Sequence, residues 1–143
     1  MLIGLPMMML CLLIQTAAAF WGVRHYVRRT ARMDARGGFL VSIRPLLSAM
    51  VIMMLGTFVQ IIVWGVLFVL LNEFPDYHTA VYHSAVNFAS LGYGDIVMTK
   101  PWKMLGALEA VSGVLMLGMT SAALMAILSQ MIKVQRQALG HED

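Results

Sequence analysis

The sequence predicts an all-α membrane protein, with three transmembrane helices and a short re-entrant helix and loop between the second and the third. Three observations predict it. Of the 143 residues 60% are apolar and only 12% charged, about half the charge an average soluble chain carries. The charges are also segregated: residues 1–23, 45–72 and 105–132 hold a single one, Glu109. Each of these blocks exceeds the roughly 20 apolar residues that cross a bilayer. Finally, a short apolar run after residue 78 gives way to glycine-rich chain, far too soon to span. This composition excludes a disordered chain, and a net charge of +3 leaves no basic face for nucleic acid.

The first span, residues 1–23, has no Lys or Arg before Arg24. It therefore lacks the positive flank of a cleaved signal peptide and reads as a retained helix, although Ala17, Ala18 and Ala19 offer small residues for a peptidase. Cys11 is the only cysteine, so no internal disulfide or thiolate zinc site is available. The fourteen methionines read as pliable apolar filler. Residues 24–44 form a basic loop with six arginines against the single Asp34. The positive-inside bias places this loop and the tail, 133–143, in the cytoplasm of a cell (inner) membrane protein whose N-terminus is outside. Arg24, Arg28 and Arg32 recur every four residues, which suits either a solvated topology signal or a helix gripping anionic lipid headgroups. They lie outside the apolar spans, which argues against a voltage sensor. Gly37 and Gly38 interrupt the loop, and Ser42 with Pro45 marks a start for the second span.

The chemistry concentrates in residues 73–104. Thr79 is suited to cap a short helix ending near Ala89, and Ser-Leu-Gly-Tyr-Gly-Asp follows at 90–95. A helix too short to span, returning as extended chain, describes a re-entrant loop. Non-helical backbone persists at membrane depth only where protein or a water-filled path satisfies it. A cation leaving water needs oxygen ligands, and stacked backbone carbonyls supply them if successive carbonyls face one way. Gly92 and Gly94 permit the unusual angles this requires. Ser90 adds a hydroxyl, and Asp95 a carboxylate at the outer mouth.

These residues closely resemble the Thr-Val-Gly-Tyr-Gly-Asp filter of the potassium-channel pore family. The setting is similar too: an outer helix at 46–71, a pore helix at 79–89, the filter, and an inner helix at 104–131. The resemblance implies a selectivity-filter loop with permeant K+ held by Ser90, Leu91, Gly92 and Tyr93, no other cofactor, and a homotetramer with a pore domain at 45–132. It leaves the first helix unexplained. Serine replaces threonine, Leu91 replaces valine, Val86 stands where several members carry a carboxylate, and Tyr82-His83 replaces a common aromatic pair.

Glu109 is the one ionisable residue inside a span, and such residues are functional candidates. Helical spacing sets it on a stripe with Gly113, Met116, Thr120 and Ile127. It reads as support for the filter or as an ion ligand, with His83 and Asn87 as candidate partners. Gly113 and Gly118 suit either inner-helix hinges or close packing. His78 and His83 lack metal-ligand spacing. The leading expectation is a passive, potassium-conducting channel. Its alternatives are a weakly selective cation channel, and an accessory or transport-system subunit with a non-conducting loop. No nucleophile–base pair supports an enzyme.

Overall fold

The computed structural model describes residues 3–30 and 39–139, and within the helices no side chain of 39–42 or 134–139. Arg32, Asp34, Arg36, Gly37, Gly38 and the side chain of Arg136 thus lie outside the described residues. Four helices follow in order: α1 (Gly4–Thr30), α2 (Phe39–Leu70), α3 (Tyr77–Phe88) and α4 (Lys103–Leu139). Three carry segments long and apolar enough to cross a membrane, Gly4–Thr30, Ile43–Leu70 and Lys103–Lys133. The protein is a multi-pass, all-helical membrane protein.

The first helix continues past its apolar block, carrying Arg24, Arg28 and Arg29 to its end. Cations there suit the partial negative charge of a helix C-terminus. Its buried residues, Gly4, Cys11, Gln15, Gly22 and Tyr26, are spaced by seven and four, which draws one stripe along the helix. Tyr26 packs with Ala49 and Met53 of α2 and Ile127 of α4. The α1 C-terminus, the α2 N-terminus and the far end of α4 therefore meet at one end of the bundle. Small residues permit close approach: a Cβ on Gly56 would lie 2.8 Å from the Ala18 Cβ. Without a hydrophobic drive between helices in lipid, such packing and hydrogen bonds hold the spans together.

Those hydrogen bonds form one chain across three helices. The Gln60 amide of α2 donates to Gln15 Oε1 at 2.7 Å, and the Gln15 amide donates to Thr120 Oγ1 of α4 at 2.6 Å. Both glutamines are fully buried.

Helix α2 begins at Phe39, ahead of Ser42, so Pro45 lies inside the helix and not at its start. Proline lacks only its own N–H and clashes one turn back, and one residue of this kind early in a 32-residue helix does not end it. The helix stops at Asn72, whose φ is +53°. Its N–H bonds the Val69 carbonyl and that of Glu73 bonds the Phe68 carbonyl, a left-handed Schellman termination. The connection to α3 is stapled by Glu73, whose carboxylate accepts from both the N–H and the hydroxyl of Thr99.

Candidate functional site

Helix α3 packs on both α2 and α4 and delivers the 90–95 loop. Its N-cap is Asp76, not Thr79. The Asp76 carboxylate accepts from the Thr79 N–H at 2.7 Å and the Thr79 hydroxyl at 2.8 Å, so Thr79 is the capped residue three positions on. These bonds, led by the Thr79 N–H, hold the Asp76 carboxyl below its ordinary range. The approach to α2 is close: a Cβ on Gly65 would lie 2.8 Å from Val81 Cγ2 and 3.1 Å from its Cα.

The end of α3 turns helix into loop. Ser90 has φ +55°, its N–H bonds the Asn87 carbonyl at 2.8 Å, and the Leu91 N–H bonds the Val86 carbonyl at 2.9 Å. This is again a Schellman termination, with serine where glycine is usual. Gly92 and Gly94 follow at φ +54° and +75°. Left-handed backbone therefore recurs at every second residue, 90, 92 and 94. A β-strand alternates its carbonyls between two sides; reversing the sign of φ at alternate residues removes that alternation. Gly113 of α4 closes on the turn from behind, since a Cβ there would fall 1.9 Å from the Phe88 carbonyl oxygen. Close packing accounts for this glycine. Gly118 differs, as an added Cβ would meet nothing within 4 Å.

The loop itself stands clear of its own chain. Leu91 is 55% and Tyr93 65% exposed, and neither Gly92 nor Gly94 has a neighbour that a Cβ would meet. One bond steadies its outer end: the Tyr82 hydroxyl donates to Asp95 Oδ2 at 2.8 Å. Asp95 as acceptor holds the Tyr82 phenol above its ordinary range.

Behind the loop, His83 and Asn87 pair with each other. Asn87 Nδ2 lies 2.8 Å from His83 Nε2, and an amide nitrogen only donates, so that ring nitrogen accepts and the ring is neutral. Burial, against the rings of Phe68 and Phe74 at 5.7 and 4.8 Å between centroids, pushes the His83 ring below an ordinary histidine. His78 is exposed.

Glu109 is fully buried and meets Ser84 of α3, its Oε1 2.5 Å from Ser84 Oγ, with the Asn87 side chain nearby. Ser84 also donates to the Ile61 carbonyl of α2 at 2.8 Å. Sequence reasoning missed Ser84 and the Tyr82 bond, whose partners lie 25 and 13 residues away along the chain and leave no local signal. Among the described residues no group of three or more His, Cys, Asp or Glu side chains is arranged to hold a metal.

A concave feature lies near the α1 C-terminus. Trp21, Arg24, His25, Arg28 and Ile52 line a cavity of about 380 Å³, the first four by helical spacing on one face of α1.

Comparison with known proteins gives the same outline. A family model described as "Ion channel" matches residues 56–130, from the middle of α2 through α3 and the loop to most of α4. No curated protein and no solved structure matched the chain.

Proposed function

From the premise that the chain belongs to this ion-channel family, that of the two-transmembrane potassium-channel pore, we propose that it is a potassium-conducting channel. It works as a homotetramer with residues 90–95 as the filter. The observation that carries the reading is the left-handed backbone at Ser90, Gly92 and Gly94 on a Gly-Tyr-Gly-Asp segment inside the matched region. In this reading Ser90, Leu91, Gly92 and Tyr93 present carbonyls to K+, and these replace its hydration shell. Gly94 lets the chain leave the ring, and Asp95, bonded to Tyr82, fixes the outer mouth. One chain supplies one filter strand, so a ring needs several copies, and cyclic symmetry closes it. The exposure of Leu91, Tyr93, Val97, Val114 and Leu117 supports such a covering by neighbouring copies.

The membrane in this proposal is the cell (inner) membrane, with the arginine end of the bundle in the cytoplasm and the filter outside. Arg24, Arg28, Arg29 and Arg44 support that orientation by positive-inside bias. The cavity lined by Trp21, Arg24, His25 and Arg28 takes an anionic lipid headgroup. Arg-to-phosphate bonds hold it, and Ile52 borders the acyl chain.

The test is potassium flux from liposomes holding the purified protein under a potassium gradient. Flux from tetramers, abolished in Gly92→Ala and reduced when sodium replaces potassium, is the expected result. Tetramers without flux would favour an accessory subunit with a non-conducting loop, and equal sodium flux a weakly selective channel. Liposomes without anionic lipid should lower flux in the wild type but not further in Arg24→Gln/Arg28→Gln.

A further inference from the structure

Glu109 lies beside the proposed filter, and its surroundings fix where a proton must be. Ser84 Oγ stands 2.8 Å from the Ile61 carbonyl oxygen and 2.5 Å from Glu109 Oε1. A hydroxyl has one hydrogen, while a backbone carbonyl can only accept. If the serine hydrogen goes to Glu109, two bare oxygens face each other at Ile61. If it goes to Ile61, Ser84 must accept, and Glu109 Oε1 must donate. Only the second arrangement satisfies both contacts, and it requires a hydrogen on the glutamate.

The rest of the site agrees. Glu109 is fully buried and its Oε2 has no hydrogen-bond partner, and no cationic side chain is among the groups acting on it. An isolated carboxylate in such a place carries a heavy desolvation cost, whereas a neutral acid leaves only one carbonyl-like oxygen unpaired. The groups around it are neutral as well: Cys11 of α1 sits with Trp64 of α2 and Ser112 of α4, and α3 contributes Ser84 and Asn87.

We propose that Glu109 is a positioning residue that keeps its proton and uses it as a donor. The Oε1–H···Ser84 Oγ–H···O=C Ile61 relay straps the pore helix to both the inner and the outer helix. It sets the depth of α3, six residues before Ser90, and therefore of the filter strand. The charge of a glutamate plays no part; its hydroxyl does. This rests on the channel reading above only for its consequence for flux.

Two measurements test it. Infrared spectra of the detergent-purified wild type should contain the carbonyl stretch of a protonated carboxylic acid that disappears in Glu109→Gln. In liposomes, Glu109→Gln, whose amide N–H can donate to Ser84, should keep flux within about twofold, while Glu109→Ala and Ser84→Ala lower it about tenfold or more. The proposal is overturned if the acid band is missing from the wild type, or if Glu109→Gln conducts as poorly as Glu109→Ala. The infrared reading stands apart from conduction: a wild type that shows the band yet passes no ions removes the channel reading and leaves the proton in place.

Discussion

Helices α2 and α3 stop by the same pair of hydrogen bonds, around Asn72 and around Ser90, at φ +53° and +55°. The residues differ in what they bring. Asparagine visits the left-handed region readily, whereas serine carries the usual Cβ penalty of about 1–2 kcal/mol. The chain beyond each stop differs as well. After Asn72 it makes a polar turn stapled by Glu73 to Thr99; after Ser90 it enters an exposed, irregular stretch that touches little of its own chain. The α2 end is a stop made by local chemistry. The α3 end has the same local bonds and adds contacts beyond the turn, with Gly113 of α4 packed behind Phe88 and Tyr82 bonded to Asp95. Strained backbone held by its surroundings gathers at functional sites, and here it opens the segment that carries the proposed chemistry.

The sharpest way to break that contrast is Gly113→Val. A side chain begins 1.9 Å from the Phe88 carbonyl oxygen, which backbone cannot yield cheaply, and overpacking of this kind costs about 1–3 kcal/mol or more. The variant should lose most folded protein on size-exclusion chromatography; a wild-type elution profile would mean that α4 does not clamp the turn. Gly92→Ala is next. Its φ of +54° penalises a Cβ by about 1–2 kcal/mol in every chain, so liposome flux should vanish while folding survives.

Paired glycine substitutions then compare the two ends directly. Ser90→Gly should raise the thermal midpoint by relieving about 1 kcal/mol, and should lower flux by removing a hydroxyl, while Asn72→Gly should shift stability by only a few tenths. Equal shifts would erase the difference. The smallest effect is acid. His83 is held neutral with a lowered pKa, so the stability it contributes is whole above about pH 6.5 and is lost as pH falls through that lowered value. Thermal melts between pH 7 and 5 should show this loss, and His83→Gln should flatten it.

How much of this is legible in the sequence depends on distance along the chain. The spans can be read because charge is excluded from hydrocarbon, and the 90–95 segment because two glycines and a tyrosine are contiguous. The cap is ambiguous because Asp76 and Thr79 are both competent, and only backbone angles decide which stands outside the helix. Pro45 looks like a helix start because proline favours the first turn, yet the helix forms through it. Glu109 is visible as an exception, but its partner Ser84 is 25 residues away and depends on how three helices cross. Gln15 and Gln60 carry no signal as single polar residues in long apolar runs. Their meaning arises only from facing each other.

That glutamine pair also bears on how the helices depend on one another in the membrane. A lone glutamine in a span finds few partners in hydrocarbon: the Gln60 amide donates to the Gly56 carbonyl of its own helix at 3.2 Å, while both bonds of Gln15 go to other helices. The Thr120 hydroxyl donates to the Met116 carbonyl of its own helix at 2.8 Å, whereas the buried Glu109 of α4 finds its partner only in Ser84 of α3. Before the helices pack, α1 therefore carries the glutamine that depends most on its neighbours, and its contacts with α2 and α4 are what satisfy it. The seam thus ties the helix outside the matched segment to both long helices within it.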